Sequence, residues 1–226
     1  MVYGGHSNER RGAMKIIKRT VGDVETNCYI VVNETSKECF VIDPGDDEDV
    51  IIAAIEEEKA VPKAILLTHG HFDHIYAVEP LVVKYGIPVY ASEKEAQLLG
   101  EPEMNCSALY GREVAVVPEN YIEDGDVFEI AGFKIKGIHT PGHTKGSMCF
   151  YIESENTLFS GDTLFRGGVG RTDLPTGNTH LLLESLRDKI IVLPPNTVIY
   201  PGHGDKSELD YEKRNNSYMY GDSWKE

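Results

Sequence analysis

The chain has 226 residues, enough for one well-buried domain, and its 41% hydrophobic and 26% charged residues are ordinary for a globular protein. Its net charge of −15, with no Lys/Arg run longer than Arg10-Arg11, argues against a nucleic-acid binder and reads as acidity that serves solubility. No apolar run approaches the roughly 18 residues that a membrane span requires. The stretch from Met1 to Ala13 has no apolar centre, so it is no secretory signal. It reads as a flexible extension over residues 1–13, followed by a single folded domain over 14–226. Lys15-Ile16-Ile17-Lys18, Cys28-Tyr29-Ile30-Val31-Val32 and Cys39-Phe40-Val41-Ile42 read as strands, the third stopped by Asp43-Pro44-Gly45. Asp46 and Asp47 suit a helix start, and Val50, Ile51, Ala54 and Ile55 keep the helical period. Ala64-Ile65-Leu66-Leu67 reads as a buried strand. His74 to Tyr85 carries a helical pattern in which Pro80 is discordant and Gly86 is the stop.

The second half repeats the theme. Val114–Val117, Val127–Ile130 and Phe133–Lys136 read as strands, the last two joined by a hairpin turn at Ala131-Gly132. Met148–Ile152 and Thr157–Phe159 follow as strands. Leu181, Leu182, Leu186 and Ile190 mark a helix, Val198–Tyr200 a strand, and the stretch from Tyr211 one last helix with a loose end. Two similar halves of strands and helices suggest two sheets packed face to face with helices outside, an α/β fold. Cys28, Cys39, Cys106 and Cys149 form no C-x-x-C pair; free thiols in a cytoplasmic protein are the expectation, with Cys106 the one in a polar, exposed setting.

The chemistry concentrates in Thr68-His69-Gly70-His71-Phe72-Asp73-His74, directly after an apolar strand. Ligands there lie at a strand's C-terminal end, where open α/β sheets place their sites. His69 and Asp73 have i,i+4 spacing but His69 and His71 do not, so a loop is the better reading. Three imidazoles and a carboxylate suit zinc or iron, and this segment alone can serve two metals. His143, Asp162 and His203 each follow a further strand with glycine beside them, which lets the backbone bend tightly. Five of the eight histidines fall in this set; His6, His139 and His180 read as ordinary polar residues. Neither a G-x-S-x-G nucleophile motif nor a G-x-x-x-x-G-K-[ST] phosphate loop occurs.

Six motifs recur from Thr26 to Gly204: Thr-Asn-Cys-Tyr at 26–29, His-x-His-x-Asp-His at 69–74, Thr-Pro-Gly-His-Thr at 140–144, Ser-Gly-Asp-Thr-Leu-Phe at 160–165, Gly-Arg-Thr-Asp at 170–173 and Tyr-Pro-Gly-His-Gly at 200–204. Together they resemble the metallo-β-lactamase superfamily and, within it, the short glyoxalase II-like (hydroxyacylglutathione hydrolase-like) hydrolases. The resemblance implies a four-layer αββα sandwich of two mixed β-sheets flanked by helices. It implies two divalent metal ions, zinc expected and iron or manganese the alternatives. His69, His71 and His143 would hold the first, Asp73, His74 and His203 the second, and Asp162 would bridge them. The drug-hydrolysing zinc β-lactamases typically carry Cys at the bridging position and often lack the second motif His, so Asp162 and His74 depart from them.

The implied activity is hydrolysis of S-acyl thioesters of the hydroxyacylglutathione type by a metal-bridging hydroxide, with Asp73 the catalytic residue that orients it. Arg171, nine residues after Asp162, falls where glyoxalase II enzymes carry a carrier-binding Lys; it reads as a substrate contact through a carboxylate or as a structural partner of Asp173. Phe165 and Arg166 read as pocket border. Full-length glyoxalase II enzymes add a helical region after the last metal histidine that residues 204–226 are too few to form, which leaves the thiol carrier open. Alternatives from the same resemblance are a persulfide dioxygenase with one iron and a lactonase. A non-catalytic metal protein is disfavoured, since catalytic sites keep positions open that a structural site closes. The expected partner is a small-molecule thioester, with no nucleic acid and no membrane, and the expected state a monomer or small homo-oligomer.

Overall fold

The computed structural model describes residues 13–220. The extension expected over residues 1–13 lies, except for Ala13, outside the described residues, as do the last six residues of the tail. Ala13 itself accepts a hydrogen bond from the Glu34 N–H (3.0 Å).

The first sheet runs β1 (Met14–Val21), β2 (Thr26–Asn33), β3 (Glu38–Ile42), β4 (Val61–Leu66), β5 (Val89–Ser92), β6 (Asn120–Ile122), in that order. β1, β2 and β3 are antiparallel neighbours, and β3 to β6 are parallel. The second sheet is built from β7 (Val127–Ile130), β8 (Phe133–His139), β9 (Met148–Ile152), β10 (Thr157–Gly161), β13 (Val198–Pro201) and β14 (Ser207–Glu208). It is antiparallel except where β10 pairs parallel with β13. A small hairpin, β11 (Leu164–Phe165) with β12 (Gly168–Val169), sits between. The helices are α1 (Glu48–Glu57), α2 (Val78–Tyr85), α3 (Ala96–Gly100), α4 (Thr179–Ser185) and α5 (Leu209–Asn215).

The side-chain period of two explains why four layers form. β2 is buried along its whole length, so both of its faces need cover. Tyr29 and Val31 join Phe40, Ile42 and Leu66 on one face and meet Phe133, Ile135, Phe150 and Phe159 of the second sheet. Cys28, Ile30 and Val32 point the other way, against Ile51 and Ile55 of α1 and Leu81 of α2. The second sheet divides likewise: Cys149, Tyr151, Leu158 and Ile199 pack on Leu186, Ile190 and Leu209. The result is a helix–sheet–sheet–helix sandwich of two mixed sheets, as the motifs imply. Burial of large side chains such as Phe40, Phe150 and Phe159 contributes about 1.5–3 kcal/mol each.

The hairpin turn at Ala131-Gly132 forms with positive φ at both residues (54° and 79°), the handedness that matches the strand twist. Four expectations need correction. Val114–Val117 is not a strand: Val116 is buried and its N–H bonds to the Leu99 carbonyl (2.9 Å), but Val117 faces solvent. Its apolar run seals α3 rather than joining a sheet. The helix expected from His74 begins only at Val78, after a short 3-10 turn over Phe72–His74. Pro80 is therefore in the helix's first turn, where its missing N–H has no partner to lose. The helix expected through Ile190 loosens after Ser185 into a π-type turn, Leu186–Ile190. Cys106 is buried, not exposed, in a left-handed conformation (φ 70°).

Candidate metal centre

The ends of five strands meet at one edge of the sandwich. β3 delivers Asp43, β4 the loop from Thr68 to His74, β8 the turn with His143, β10 Asp162 and β13 His203. The two sheets are stitched there by Met148 N–H to the Thr68 carbonyl (2.8 Å) and Asn27 N–H to the Gly202 carbonyl (2.7 Å). The Thr-Asn-Cys-Tyr motif completes the seam: Asn27 donates to the Pro201 and Gly204 carbonyls (3.0 and 2.9 Å), and the Tyr29 hydroxyl donates to Pro201 (2.6 Å). Cys28 lies on the opposite face and is core.

Three imidazoles converge. His143 Nε2 lies 2.9 Å from His71 Nδ1 and 3.2 Å from His69 Nε2. A tetrahedral zinc at 2.0–2.1 Å from each nitrogen sets them about 3.3 Å apart, so the spacing suits one ion. The tautomers are set from behind. The Thr68 hydroxyl donates to Asp43 Oδ2 (2.6 Å), so its oxygen accepts from His69 Nδ1 (3.1 Å) and leaves Nε2 with a lone pair. His143 Nδ1 donates to the Arg171 carbonyl (2.7 Å), which frees its Nε2 in the same way. Burial, followed by the neighbouring imidazoles, lowers the pKa of His69 and, to about 3, that of His71; burial also lowers that of His143. All three are neutral near pH 7, the state that ligates.

A second group lies alongside. His74 Nε2 and His203 Nε2 stand 3.3 and 3.2 Å from Asp73 Oδ2. Burial opposes charge on His74, but Asp73, Asp162 and Asp43 outweigh it and raise its pKa; a hydrogen bond to Asp73 does the same for His203. The charge of His74 and the hydrogen bond from His203 hold Asp73 well below the usual carboxylate range against its burial. Here protons balance the carboxylates, and a cation would take their place. Asp162 reaches both groups: its carboxylate oxygens lie 3.6 Å from His74 Nε2, His143 Nε2 and His203 Nε2. Two buried atoms at this junction, His74 Nε2 and Asp162 Oδ1, have no hydrogen-bond partner, as groups meant for an ion would not. The donor set fits two divalent ions: His69, His71 and His143 form one ligand group, and Asp73, His74 and His203 another.

Close packing leaves no room for a Cβ at two glycines here. At Gly202 a Cβ would sit 2.1 Å from Asp162 Oδ1, and at Gly170 it would sit 1.8 Å from the Asp162 carbonyl. Both glycines belong to motifs quoted above, and this is their physical role.

Several working residues escape sequence reasoning. Asp43, read only as a strand stop, accepts from Thr68 N–H (2.8 Å), the Thr68 hydroxyl and His74 Nδ1 (3.0 Å), so it orients one histidine of each group. Thr26 donates to Asp73 Oδ2 (2.7 Å). Glu95, in the charged stretch Glu93-Lys94-Glu95, is the buried one. Its two oxygens accept from Gly70 N–H (3.0 Å) and Gly146 N–H (2.8 Å), which clamps the His69–His71 loop to the loop after His143. A glycine within each loop was the available signal: a Cβ at Gly146 would press on Glu95, and one at Gly70 would press on Leu98 and Leu99.

Arg171 contributes its carbonyl to His143, while its exposed guanidinium forks onto Asp173 (2.7 Å for both bonds). Phe165 sits edge-on to His203 (6.2 Å between ring centroids), and Arg166 lies by Asp205 (3.9 Å) and over the Tyr211 ring. His139 bonds to the Lys145 carbonyl (2.9 Å) and His180 pairs with Glu184 (3.3 Å), both away from the ligand groups. Beside Asp73 opens a cleft of about 270 Å³ with aromatic walls.

A mixed-sheet sandwich with two His/Asp ligand groups at its strand ends is the architecture of a metal-dependent hydrolase. The family model of the metallo-β-lactamase superfamily matches residues 21–203, and the chain belongs to that superfamily. A probable metallo-hydrolase of Bacillus subtilis, YqgX, is 37% identical over 92% of this chain and 99% of its own length. The hydroxyacylglutathione hydrolase GloC of Haemophilus influenzae is 33% identical over 86% of this chain and 93% of its own. Among solved structures, the B3 metallo-β-lactamase BLEG-1 shares 38% identity and a TM-score of 0.87, covering 92% of this chain and 100% of its own. TTHA1623 in a di-iron-bound form shares 37% identity and a TM-score of 0.79 over 89% of this chain and 99% of its own. Among the described residues, no helix is long and apolar enough to cross a membrane.

Proposed function

We propose that this protein hydrolyses S-acyl thioesters at a dinuclear centre held by His69, His71, Asp73, His74, His143, Asp162 and His203. The observation that carries the reading is the pair of ligand groups joined by Asp162, with three neutral imidazoles on one side and Asp73 with two imidazoles on the other. Two divalent ions bound there would bring a shared water toward ionisation near neutral pH and polarise the substrate carbonyl. The chain's own residues do the positioning. Asp73, held by the Thr26 hydroxyl and kept ionised, orients the attacking water by accepting its hydrogen. Asp43 and Glu95 keep the ligand loops in place. Arg171 anchors the carboxylate of the thiol carrier by exchanging Asp173 for it; both partners are exposed, so little stability is lost in the exchange.

The thioester class is supported by the likeness to a hydroxyacylglutathione hydrolase over nearly its full length. The imidazole-rich donor set supports zinc, and the di-iron form of a 37% identical neighbour makes iron the competing ion. Four free, buried thiols support a cytoplasmic protein. The test is metal analysis of the purified protein, paired with turnover of lactoylglutathione, a lactone, a β-lactam and glutathione persulfide. Two metals per chain with thioester turnover is the expected result. One iron per chain with oxygen consumption on the persulfide, or β-lactam turnover alone, would overturn the reading.

A further inference from the structure

The cleft beside Asp73 is built for something the metal ligands do not explain. Its walls are Phe72, Tyr76 and Tyr110, with Arg112 and Asp46 at the rim. Phe72 and Tyr110 stack (4.1 Å between centroids, 30° between planes), and Phe72 meets Tyr76 at 5.5 Å. Phe72 and Asp73 are adjacent in the chain, so the aromatic wall and the ligand group are rigidly coupled. The Phe72 N–H also bonds to the Asn105 carbonyl (3.0 Å), which ties the segment carrying Tyr110 to the ligand loop.

The Tyr76 side chain is more than nine-tenths buried; its hydroxyl is closed off from solvent, so the ring is what it gives the cleft. Arg112 lies over the Tyr76 ring (4.3 Å) and gives Nη1 to Asp46 (2.7 Å). Asp23, Asp46 and Asp73 line the cleft against one cation, Arg112, so it does not favour an anionic carrier. Its flat aromatic walls suit a neutral aromatic ring better.

We infer that this cleft is the acyl-group subsite and selects acyl groups that carry an aromatic ring. The inference rests on the thioester reading only for what is attached to the acyl group.

The test uses binding of the product acids to the metal-loaded protein by titration calorimetry. Lactate and 3-phenyllactate share the same hydroxy-acid head, so their ratio isolates the ring. Phenyllactate should bind about tenfold more tightly, the discrimination an apolar pocket achieves. Tyr110→Ala, which removes an exposed side chain and leaves the fold intact by circular dichroism, should bring the ratio close to one. Tyr76→Phe, which removes only the closed-off hydroxyl, should keep the preference for phenyllactate. Equal affinities for lactate and phenyllactate in the wild type, or a preference that survives Tyr110→Ala, would overturn the subsite. Thioester turnover with equal affinities removes the subsite and keeps the function; a phenyllactate preference without thioester turnover removes the function and keeps the subsite.

Discussion

Asp43→Asn is the sharpest perturbation of the centre, because Asp43 is no ligand of either group in the proposed assignment yet stands behind both. Its Oδ1 accepts from the Thr68 N–H, and its Oδ2 from the Thr68 hydroxyl and His74 Nδ1, at 2.6–3.0 Å. In the variant one oxygen can still serve the Thr68 N–H, but an amide NH2 then faces two donors. The Thr68 hydroxyl can turn away, and His69 Nδ1 loses the oriented acceptor that sets its tautomer. His74 has no such freedom: its least costly response is to move the proton to Nε2, the nitrogen facing Asp73 and Asp162. That removes the lone pair needed by the second ion. Loss of such outer partners lowers metal affinity by about 10- to 100-fold, or about 1.4–2.7 kcal/mol. The loss should fall mainly on the Asp73–His74–His203 group, so chelator competition should show one weakened and one nearly normal ion. Turnover at limiting metal should fall in parallel and recover with excess metal. Unchanged affinity at both positions in a folded variant would refute this account of Asp43.

Three further outcomes follow from the geometry. His71→Ala removes one of three imidazoles from the first group; metal content should drop by at least one ion per chain and turnover by 100-fold or more, and an unaltered metal content by mass spectrometry would defeat the ligand assignment. Burial raises the Glu95 carboxyl from its ordinary 4.5 to about 7, against hydrogen bonds from Thr144, Gly70 and Gly146. With a raised folded-state pKa, its contribution is fully present below about pH 4.5 and is lost as the pH climbs through 7, a fall of about 3 kcal/mol. Glu95→Gln lacks that term, so urea midpoints at pH 5 and pH 7.5 should differ less in the variant than in the wild type; identical pH profiles would remove the buried acid from the argument. Arg171→Ala should raise KM about three- to tenfold with a smaller loss in kcat, and steady-state kinetics showing kcat alone reduced would reject its role as carrier anchor.

Much of the candidate centre is legible along the chain because metal chemistry restricts residue choice. Histidine and aspartate at strand ends, flanked by glycine, are a short list, and the seven residues named from the motifs are brought together at one edge of the sandwich. The supporting residues are not legible in the same way. Asp43 reads as a strand stop, Thr26 as the head of a motif with no role of its own, and Glu95 as one charge in a charged stretch. Their roles depend on distances across 25 to 51 positions of sequence, which no local pattern encodes.

The strands were readable where hydrophobic runs are dense, as in β2, β3 and β9, since a strand covered on both faces must be apolar throughout. Short strands such as β5 and β6 carry too few residues to show a period, while Val114–Val117 is an apolar run without being a strand. By itself, then, the sequence determined the layer architecture, the family and the metal-binding chemistry, because period and ligand type are local properties. Only the tertiary structure decided which nitrogen of each histidine faces inward, which carboxylates stand behind them, and where the aromatic cleft opens. Those are matters of direction and of partners from distant strands, and they exist only once the two sheets have closed on each other.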